Sequence, residues 1–408
     1  MIISLMFIRN VLSPLLLAKG NFSSVIHVEN GSDYINNSIF LLIYEMLSVF
    51  FVIIYCKRRE TSLEKNTITI NIASKKIEQK YVVIIIVALI VLLLCYKISP
   101  QFMFNYRTIY EMTSENSANY EDYMINRKYG TSTIKLLGLV IGNYIMRVVL
   151  LIIPSVLIIL LRKVKNRPYL SKMLSFLVCF IPMMFIGGAI ARSLIYFICL
   201  LMLRNQLFYE EKFTKKSIFL LFLGVAVILF WWSFRSYSID TNDIWVEYSA
   251  RINAYFSGVA TVSGVYNLPN SMEYRIKYFF TDILSSIPFG NTIFGLDGST
   301  SQEFFNNYNS SSGQIPPTIG MGYYYFGFVF SPLYSIIFTV LSFKNSEKLR
   351  YHSVYSPFEY IRCLYSIFVF SMGIVMYSIE ITLTNTFCII FPIYIMELLS
   401  ISKGEKNE

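Results

Sequence analysis

Arginine side chains are the groups of this sequence whose chemistry is most specific. Arg192 lies in an otherwise almost entirely apolar run, residues 186–203, where lipid makes a charge costly. Arg235, Arg251 and Arg275 follow in a more polar segment. A guanidinium is always charged, and its planar fork matches pairs of phosphate oxygens. Several arginines that reach one site would therefore suit a lipid-linked phosphate or diphosphate.

Each of these arginines also has a structural interpretation. Arg192 could extend its side chain to the outer lipid headgroups. The arginines of the polar segment could pair with nearby acidic residues, which are Asp240, Asp243, Glu247, Glu273 and Asp282. Arg147 and Glu45 lie inside apolar runs as well, and we expect these two residues to form a buried pair between helices.

The other candidate residues would complete a site that transfers a group from a phosphate. Arg192 and Arg235 would stabilise charge on a departing diphosphate, and an acceptor hydroxyl would need a base. The candidate bases, which the sequence does not rank, are Asp240, Asp243, Glu247 and Glu380. The predicted substrate-binding residues are Arg251, Arg275, Tyr323 and Tyr196, which shares a helical face with Arg192. No metal-binding motif appears in the outer segments, so we expect a reaction without a metal or another cofactor.

The elements that carry these residues are predicted to be membrane helices. Of the 408 residues, 55% are hydrophobic and 15% are charged, and the mean hydropathy is +0.53. Soluble domains carry about 25% charged residues, so most of this chain must be buried in lipid. We predict an all-α polytopic membrane protein, one integral membrane domain over residues 1–408. Its ten predicted spans are residues 2–17, 39–55, 81–96, 136–161, 170–186, 189–203, 218–234, 323–343, 363–377 and 381–401. The first is the weakest, because Arg9, Asn10 and Pro14 interrupt it.

Basic residues indicate the orientation of these helices. With the N-terminus in the cytoplasm, most of the 35 Lys and Arg residues fall in cytoplasmic loops, as the positive-inside rule requires. Topology and contact with anionic headgroups therefore explain the net charge of +10, and we expect no nucleic-acid partner. The six cysteines lie in or beside apolar runs, and we expect no disulfides.

Two outer segments are predicted to surround the site. The spans 170–186 and 189–203 are short and joined by a Gly-Gly pair, so they should form a shallow hairpin with Arg192 near its outer tip. The long outer loop, residues 235–322, is large enough to form a lid. Its stretch SMEYRIKYFFTDILSSIP has the periodicity of an amphipathic helix at the membrane surface.

The long loop ends in a segment rich in proline, glycine and tyrosine. Pro316 and Pro317 fix an extended approach to the next span. The glycines that would allow close backbone contacts here are Gly320, Gly322 and Gly327. We expect an aromatic belt at this return to the membrane.

Several of these features together resemble the Wzy-type oligosaccharide repeat-unit polymerases of O-antigen and capsule synthesis. The resemblance lies in RNVLSPLLL near the N-terminus, in the GGAIARS hairpin, and in a long outer loop that closes with QIPPTIGMGYYYFGFVFSPL. It implies a GT-C-like fold and a reaction at the outer face of the bacterial cytoplasmic membrane. There, undecaprenyl-diphosphate-linked oligosaccharide repeat units are joined into O-antigen, capsular or exopolysaccharide. Membrane lipids, a flippase and a chain-length regulator are the partners that this implies.

Two other functions are alternatives to polymerisation. O-antigen ligases use an arginine near an SRG-like motif, which Arg192 in ARS resembles without the glycine, and a loop histidine. This chain has only His27 and His352, and neither lies at the end of the long loop, which favours a polymerase. A flippase or transporter of lipid-linked oligosaccharides would be expected to show repeated spans and no long outer loop.

Overall fold

The computed structural model describes residues 1–21, 33–60, 75–106, 133–164, 168–185, 190–208, 243–256, 258–296, 300–311, 313–351 and 356–400. All regular secondary structure within these ranges is helical. The helices before the long loop are α1 (Ile2–Lys19), α2 (Asp33–Glu60), α3 (Lys75–Ile98), α4 (Thr133–Arg162), α5 (Pro168–Val178), α6 (Ile181–Met184) and α7 (Ile190–Leu207). Those that follow are α8 (Ile244–Tyr255), α9 (Val259–Tyr266), α10 (Met272–Ser286), α11 (Gly290–Ile293), α12 (Ser301–Tyr308), α13 (Thr318–Phe330), α14 (Leu333–Tyr351), α15 (Pro357–Val375) and α16 (Ile379–Leu398).

Five of these helices are long and apolar enough to cross a membrane, and a sixth span results if the bent pair α13 and α14 is counted as one. The described part of the chain is therefore all-helical, and its spans are those of a multi-pass membrane protein. The five are α1, α2, α4, α15 and α16. The ten predicted spans are not reached among the described residues. The predicted span 81–96 coincides with α3, whose apolar part is short, and the whole of the span 218–234 lies outside the described ranges.

The chain divides into two compact units, of which the first comprises residues 1–66, 230–351 and 366–387. Helix α9 is its core element, because seven of its residues, from Val259 to Val265, are buried. Leu17 of α1, Leu41 of α2 and Ile319 of α13 pack around α9 in one cluster. A second cluster joins α9 and α13 to α10 and α12 of the long loop. The long loop is thus folded onto the spans of this unit.

A buried charge network explains why α1 persists as a helix despite its polar residues. Arg9 and Glu45 are both fully buried and form a salt bridge, and Ser335 donates a hydrogen bond to the same carboxylate. Arg9 also donates to the carbonyl oxygen of Ile374 at 2.8 Å. The prediction that Glu45 pairs with Arg147 is therefore wrong. The partner of Glu45 is Arg9, one of the residues that interrupt the first predicted span.

The predicted continuous span 323–343 is also wrong, because α13 and α14 meet at an angle of 103°. Gly327 breaks the helical path with φ 77° and ψ −177°, a conformation open essentially to glycine alone. Gly322 lies so close to Ser331 that an added Cβ would overlap the Ser331 carbonyl oxygen. Pro317 caps α13 in an extended conformation, as predicted.

The second unit comprises residues 67–229, 352–365 and 388–408. Its central helix is α4, which packs against α3, α5, α6 and α7. The first arm of the predicted hairpin is broken, since α5 ends at Val178 and the short α6, with Pro182 in its first turn, follows a turn. The Gly187-Gly188 tip lies outside the described residues.

Candidate anion-binding site

Two arginines of the second unit share the same neighbours. Arg147 on α4 and Arg192 on α7 are both close enough to interact electrostatically with the phenol of Tyr196 and the thiol of Cys388. The Tyr196 hydroxyl donates a hydrogen bond to the Arg147 carbonyl oxygen at 2.8 Å, which ties α7 to α4. The structure thus brings Arg192 and Tyr196 together, as their spacing along one helical face predicted, and adds Arg147.

Arg147 has an unfilled hydrogen-bonding capacity. Its guanidinium is buried, and the Nε atom has no hydrogen-bond partner among the described residues. A buried donor without a partner costs about 1–3 kcal/mol. Its guanidinium carbon lies 5.8 Å from the centroid of the Tyr144 ring, and the phenol of Tyr106 is an electrostatic neighbour. An anionic ligand would supply the missing acceptor.

Neither Arg147 nor Arg192 forms a salt bridge with another residue in the described part of the chain. Arg192 is partly exposed, whereas Tyr196 is only 1% exposed. Two guanidinium groups near the same phenol and thiol, without a carboxylate among the described residues to neutralise them, are chemically suited to a multiply charged anion. The low local dielectric strengthens each contact to such an anion.

Arg147 was visible in the sequence as a charge deep in an apolar run, but its role in this site was missed. The sequence assigned it to Glu45, because both residues were buried charges of opposite sign. One feature of the sequence points to this outcome. The apolar runs contain more arginines than carboxylates, so Arg9 and Arg147 cannot both pair with Glu45. This competition depends on tertiary packing.

The remaining predicted catalytic residues are placed as follows. Arg235 and Asp240 lie outside the described residues. Glu380 is in the first turn of α16, where its backbone oxygen accepts a hydrogen bond from the Ser286 hydroxyl at 3.1 Å. Of the further candidate bases, Asp243 caps α8 by accepting from the Trp245 amide at 2.8 Å.

The remaining predicted substrate-binding residues lie in the first unit. Arg251 is on α8, and its side chain lies outside the described part. Arg275 on α10 hydrogen-bonds to Asn270, not to any of the acidic residues that the sequence offered as partners. Tyr323 on α13 packs its ring against Tyr266, with centroids 4.8 Å apart.

A buried carboxylate that the sequence offered only as a partner for the arginines lies on α10. Asp282 is 1% exposed and accepts hydrogen bonds from the Ser301 amide at 3.2 Å, the Ser301 hydroxyl at 2.7 Å and the Tyr325 hydroxyl at 2.7 Å. Burial raises the pKa of Asp282 to about 6, although these hydrogen bonds act in the opposite direction. Asp282 therefore fastens α12 and α13 to α10 and is not a partner for an arginine.

Among the described residues, no group of three or more His, Cys, Asp or Glu side chains is placed to hold a metal ion. Comparison of the chain with protein-family models, with curated proteins and with solved structures finds no match.

Proposed function

We propose that this protein is a membrane glycosyltransferase that polymerises undecaprenyl-diphosphate-linked oligosaccharide repeat units. The reaction would take place at the outer face of the bacterial cytoplasmic membrane and yield O-antigen, capsular polysaccharide or exopolysaccharide. The observation that carries the proposal is that Arg147 and Arg192 both lie near Tyr196 and Cys388. In addition, the Nε atom of Arg147 has no hydrogen-bond partner among the described residues. A diphosphate at a membrane helix is the anion that best fits two unneutralised guanidinium groups.

The proposed chemistry is glycosyl transfer. An acceptor hydroxyl attacks the anomeric carbon of the growing glycan, the bond from that carbon to the diphosphate oxygen breaks, and the hydroxyl proton passes to a base. Arg147 and Arg192 stabilise the negative charge that develops on the leaving diphosphate. Glu380 and Asp240 remain the candidate bases from the sequence.

The ten-span, GT-C-like architecture belongs to this proposal. It is supported by five or six spans in the described residues and by a long outer loop that packs against the spans of its own unit. In this arrangement the outer part of α7, which begins just before Arg192, faces the side where a flipped lipid-linked substrate arrives.

The test is a set of Arg192 variants in cells whose own gene has been deleted. We expect Arg192→Ala to abolish long-chain polymer on glycan gels while single repeat units still reach their acceptor. Arg192→Lys keeps the charge but loses the fork, so a partial loss is expected. The control is Arg59→Ala, an exposed basic residue at the cytoplasmic end of α2, which should leave the polymer unchanged.

The same experiment separates the alternative functions. If the protein were a flippase, the Arg192→Ala cells would accumulate lipid-linked units at the inner face and would display no single units. If it were a ligase, full-length polymer would accumulate on the lipid carrier. A normal polymer length distribution in the Arg192→Ala cells would contradict the proposal itself.

A further inference from the structure

Four aromatic rings form a stack on the folded long loop. Phe304 of α12 stacks on Tyr278 of α10, with centroids 4.2 Å apart, and on Tyr274 at 5.8 Å. Tyr308, one turn further along α12, lies 6.2 Å from Phe304. Tyr278 is buried, but Tyr274 is 41% exposed and Tyr308 is 51% exposed. The stack is therefore anchored in the protein and presents its two outer tyrosines on the surface.

A second group of tyrosines lies at the end of α9. Tyr34 of α2 stacks on Tyr266 with centroids 5.9 Å apart and an interplanar angle of 8°, and the ring of Tyr323 also contacts Tyr266, with centroids 4.8 Å apart. The Tyr266 hydroxyl donates to the Asn37 carbonyl oxygen at 3.3 Å, which fixes this ring. Tyr34 is 46% exposed, so this group also presents a tyrosine on the surface.

Side-chain amides connect the two groups. Asn267, directly after Tyr266, donates to the side-chain oxygen of Asn309 at 3.0 Å, and Asn309 directly follows Tyr308. Asn309 donates in turn to the Gly264 carbonyl oxygen at 3.1 Å. A continuous series of contacts thus runs from Tyr34 to Tyr274, and we call this surface the tyrosine–asparagine band. Its members are Tyr34, Tyr266, Asn267, Asn309, Tyr308, Phe304 and Tyr274.

A basic group flanks the band. Arg275 hydrogen-bonds to the exposed Asn270, and its guanidinium carbon lies 5.8 Å from the centroid of the Tyr324 ring. The Nε atom of Arg275 has no hydrogen-bond partner among the described residues. Tyr324 contacts Phe304 of the band, with ring centroids 6.4 Å apart, so the exposed Asn270 and the partly exposed Arg275 place an amide and a guanidinium beside the band.

The chemistry of the band matches a carbohydrate. A pyranose ring has an apolar C–H face, which packs on a tyrosine ring, and a rim of hydroxyls, which pair with side-chain amides and a guanidinium. A lipid surface would be expected to meet apolar side chains without interspersed amides. On the same helix, the exposed Met272, Ile276 and Phe280 recur at one-turn spacing and provide such an apolar strip, which is distinct from Tyr274.

We propose that the tyrosine–asparagine band binds the sugar chain of an oligosaccharide substrate. This inference deepens the proposed function and rests on it for the identity of the glycan. Because a pair of amides lies between two groups of rings along the band, it would hold several successive sugar residues and not a single monosaccharide.

The test is binding of a soluble glycan to the purified full chain in detergent. The probe is the oligosaccharide that mild acid releases from the lipid extract of the producing bacterium, with glucose as the monosaccharide comparison. We expect saturation-transfer NMR to show contact with protons of the oligosaccharide. The Tyr274→Ala/Tyr308→Ala variant should raise its Kd at least about tenfold. Tyr274→Phe/Tyr308→Phe keeps the rings and should retain most of the affinity. The matched control is Phe280→Ala, which removes an exposed ring of α10 outside the band.

The outcomes separate this proposal from the proposed function. Absence of oligosaccharide binding by the wild-type chain, or equal binding by the double alanine variant, overturns the band as a glycan site. If either result were found while the Arg192→Ala cells still lost their polymer, the proposed function would remain supported without the glycan site. Binding that depends on Tyr274 and Tyr308, together with normal polymer in the Arg192→Ala cells, would support the band and contradict the polymerase.

Discussion

At the scale of single residues, the energetics of this protein depend on how each buried charge is matched. Arg9 and Glu45 neutralise each other and are further bonded by Ser335 and the Ile374 carbonyl oxygen. Arg147 has no such carboxylate among the described residues. Removal of one partner of a matched pair leaves a costly buried charge, whereas an unmatched guanidinium in a membrane span points to a functional site.

The first prediction concerns the Arg9–Glu45 pair. Glu45→Gln leaves the Arg9 charge buried and unmatched, so the free energy of unfolding should fall by about 3–5 kcal/mol. The double variant Arg9→Met/Glu45→Leu removes both charges and should recover most of that loss. Reversible unfolding in mixed micelles measures both values. Losses that simply add in the double variant would show that the two residues are not coupled.

The second prediction concerns the pH dependence that Asp282 contributes. Its pKa is about 6 in the fold against an ordinary value of 3.8, so the folded state binds the proton more tightly than the unfolded state. The stabilisation from this proton is complete below about pH 4 and is lost as the pH rises to about 6, an effect of about 3 kcal/mol. Asp282→Asn cannot titrate and should lack this contribution.

The measurement for Asp282 is the unfolding free energy of both chains across this pH range. The difference between wild type and Asp282→Asn isolates the carboxyl group from the other titrating residues. A difference that stays constant between about pH 4 and pH 6 would contradict the assignment of this pKa.

At the scale of elements, the bend between α13 and α14 is the feature most dependent on small residues. Gly327 adopts a conformation that other residues reach only with strain, and Gly322 allows Ser331 to approach the α13 backbone. Ser331 also donates from its hydroxyl to the Phe328 carbonyl oxygen at 2.7 Å, which satisfies a backbone group freed at the bend. These contacts turn what would be one straight apolar span into two segments.

The third prediction tests the close approach at this bend. In Gly322→Ala the new methyl group would overlap the backbone of Ser331, so the bend must open, at a cost of about 1–3 kcal/mol or more. The control is Gly313→Ala, since Gly313 has nothing within 4 Å and only its φ of 68° is strained by a side chain. Thermal unfolding in detergent should show the larger loss for Gly322→Ala. An equal loss in both variants would argue against backbone contact as the cause.

At the scale of the whole molecule, charge distribution and span order determine the orientation in the membrane. Along the chain, segments rich in Lys and Arg alternate with less basic segments, one of which is the long loop. The described part contains five or six spans, and the rest of the predicted topology depends on the basic loops. Orientation decides whether Arg192 faces the cytoplasm or the outside, and hence which lipid-linked substrates can reach it.

The fourth prediction tests this orientation by cysteine labelling. In a chain whose six native cysteines are replaced, a cysteine at Ser311 of the long loop should react with an impermeant maleimide in intact cells. A cysteine at Ser346, near the basic end of α14, should react only after permeabilisation. The reverse pattern would overturn the proposed topology. A positive signal at both sites in intact cells would indicate leaky cells and calls for a cytoplasmic marker.

The sequence by itself determined the membrane class, the helix at residues 272–286, the extended entry at Pro317 and the shared face of Arg192 and Tyr196. These features depend on hydropathy and on neighbours a few positions apart along the chain. Only the tertiary structure decided that Arg9 pairs with Glu45, that Arg147 joins Arg192, and that α13 bends away from α14. Charges distant in sequence have several possible partners of opposite sign, and the packing of the helices selects among them.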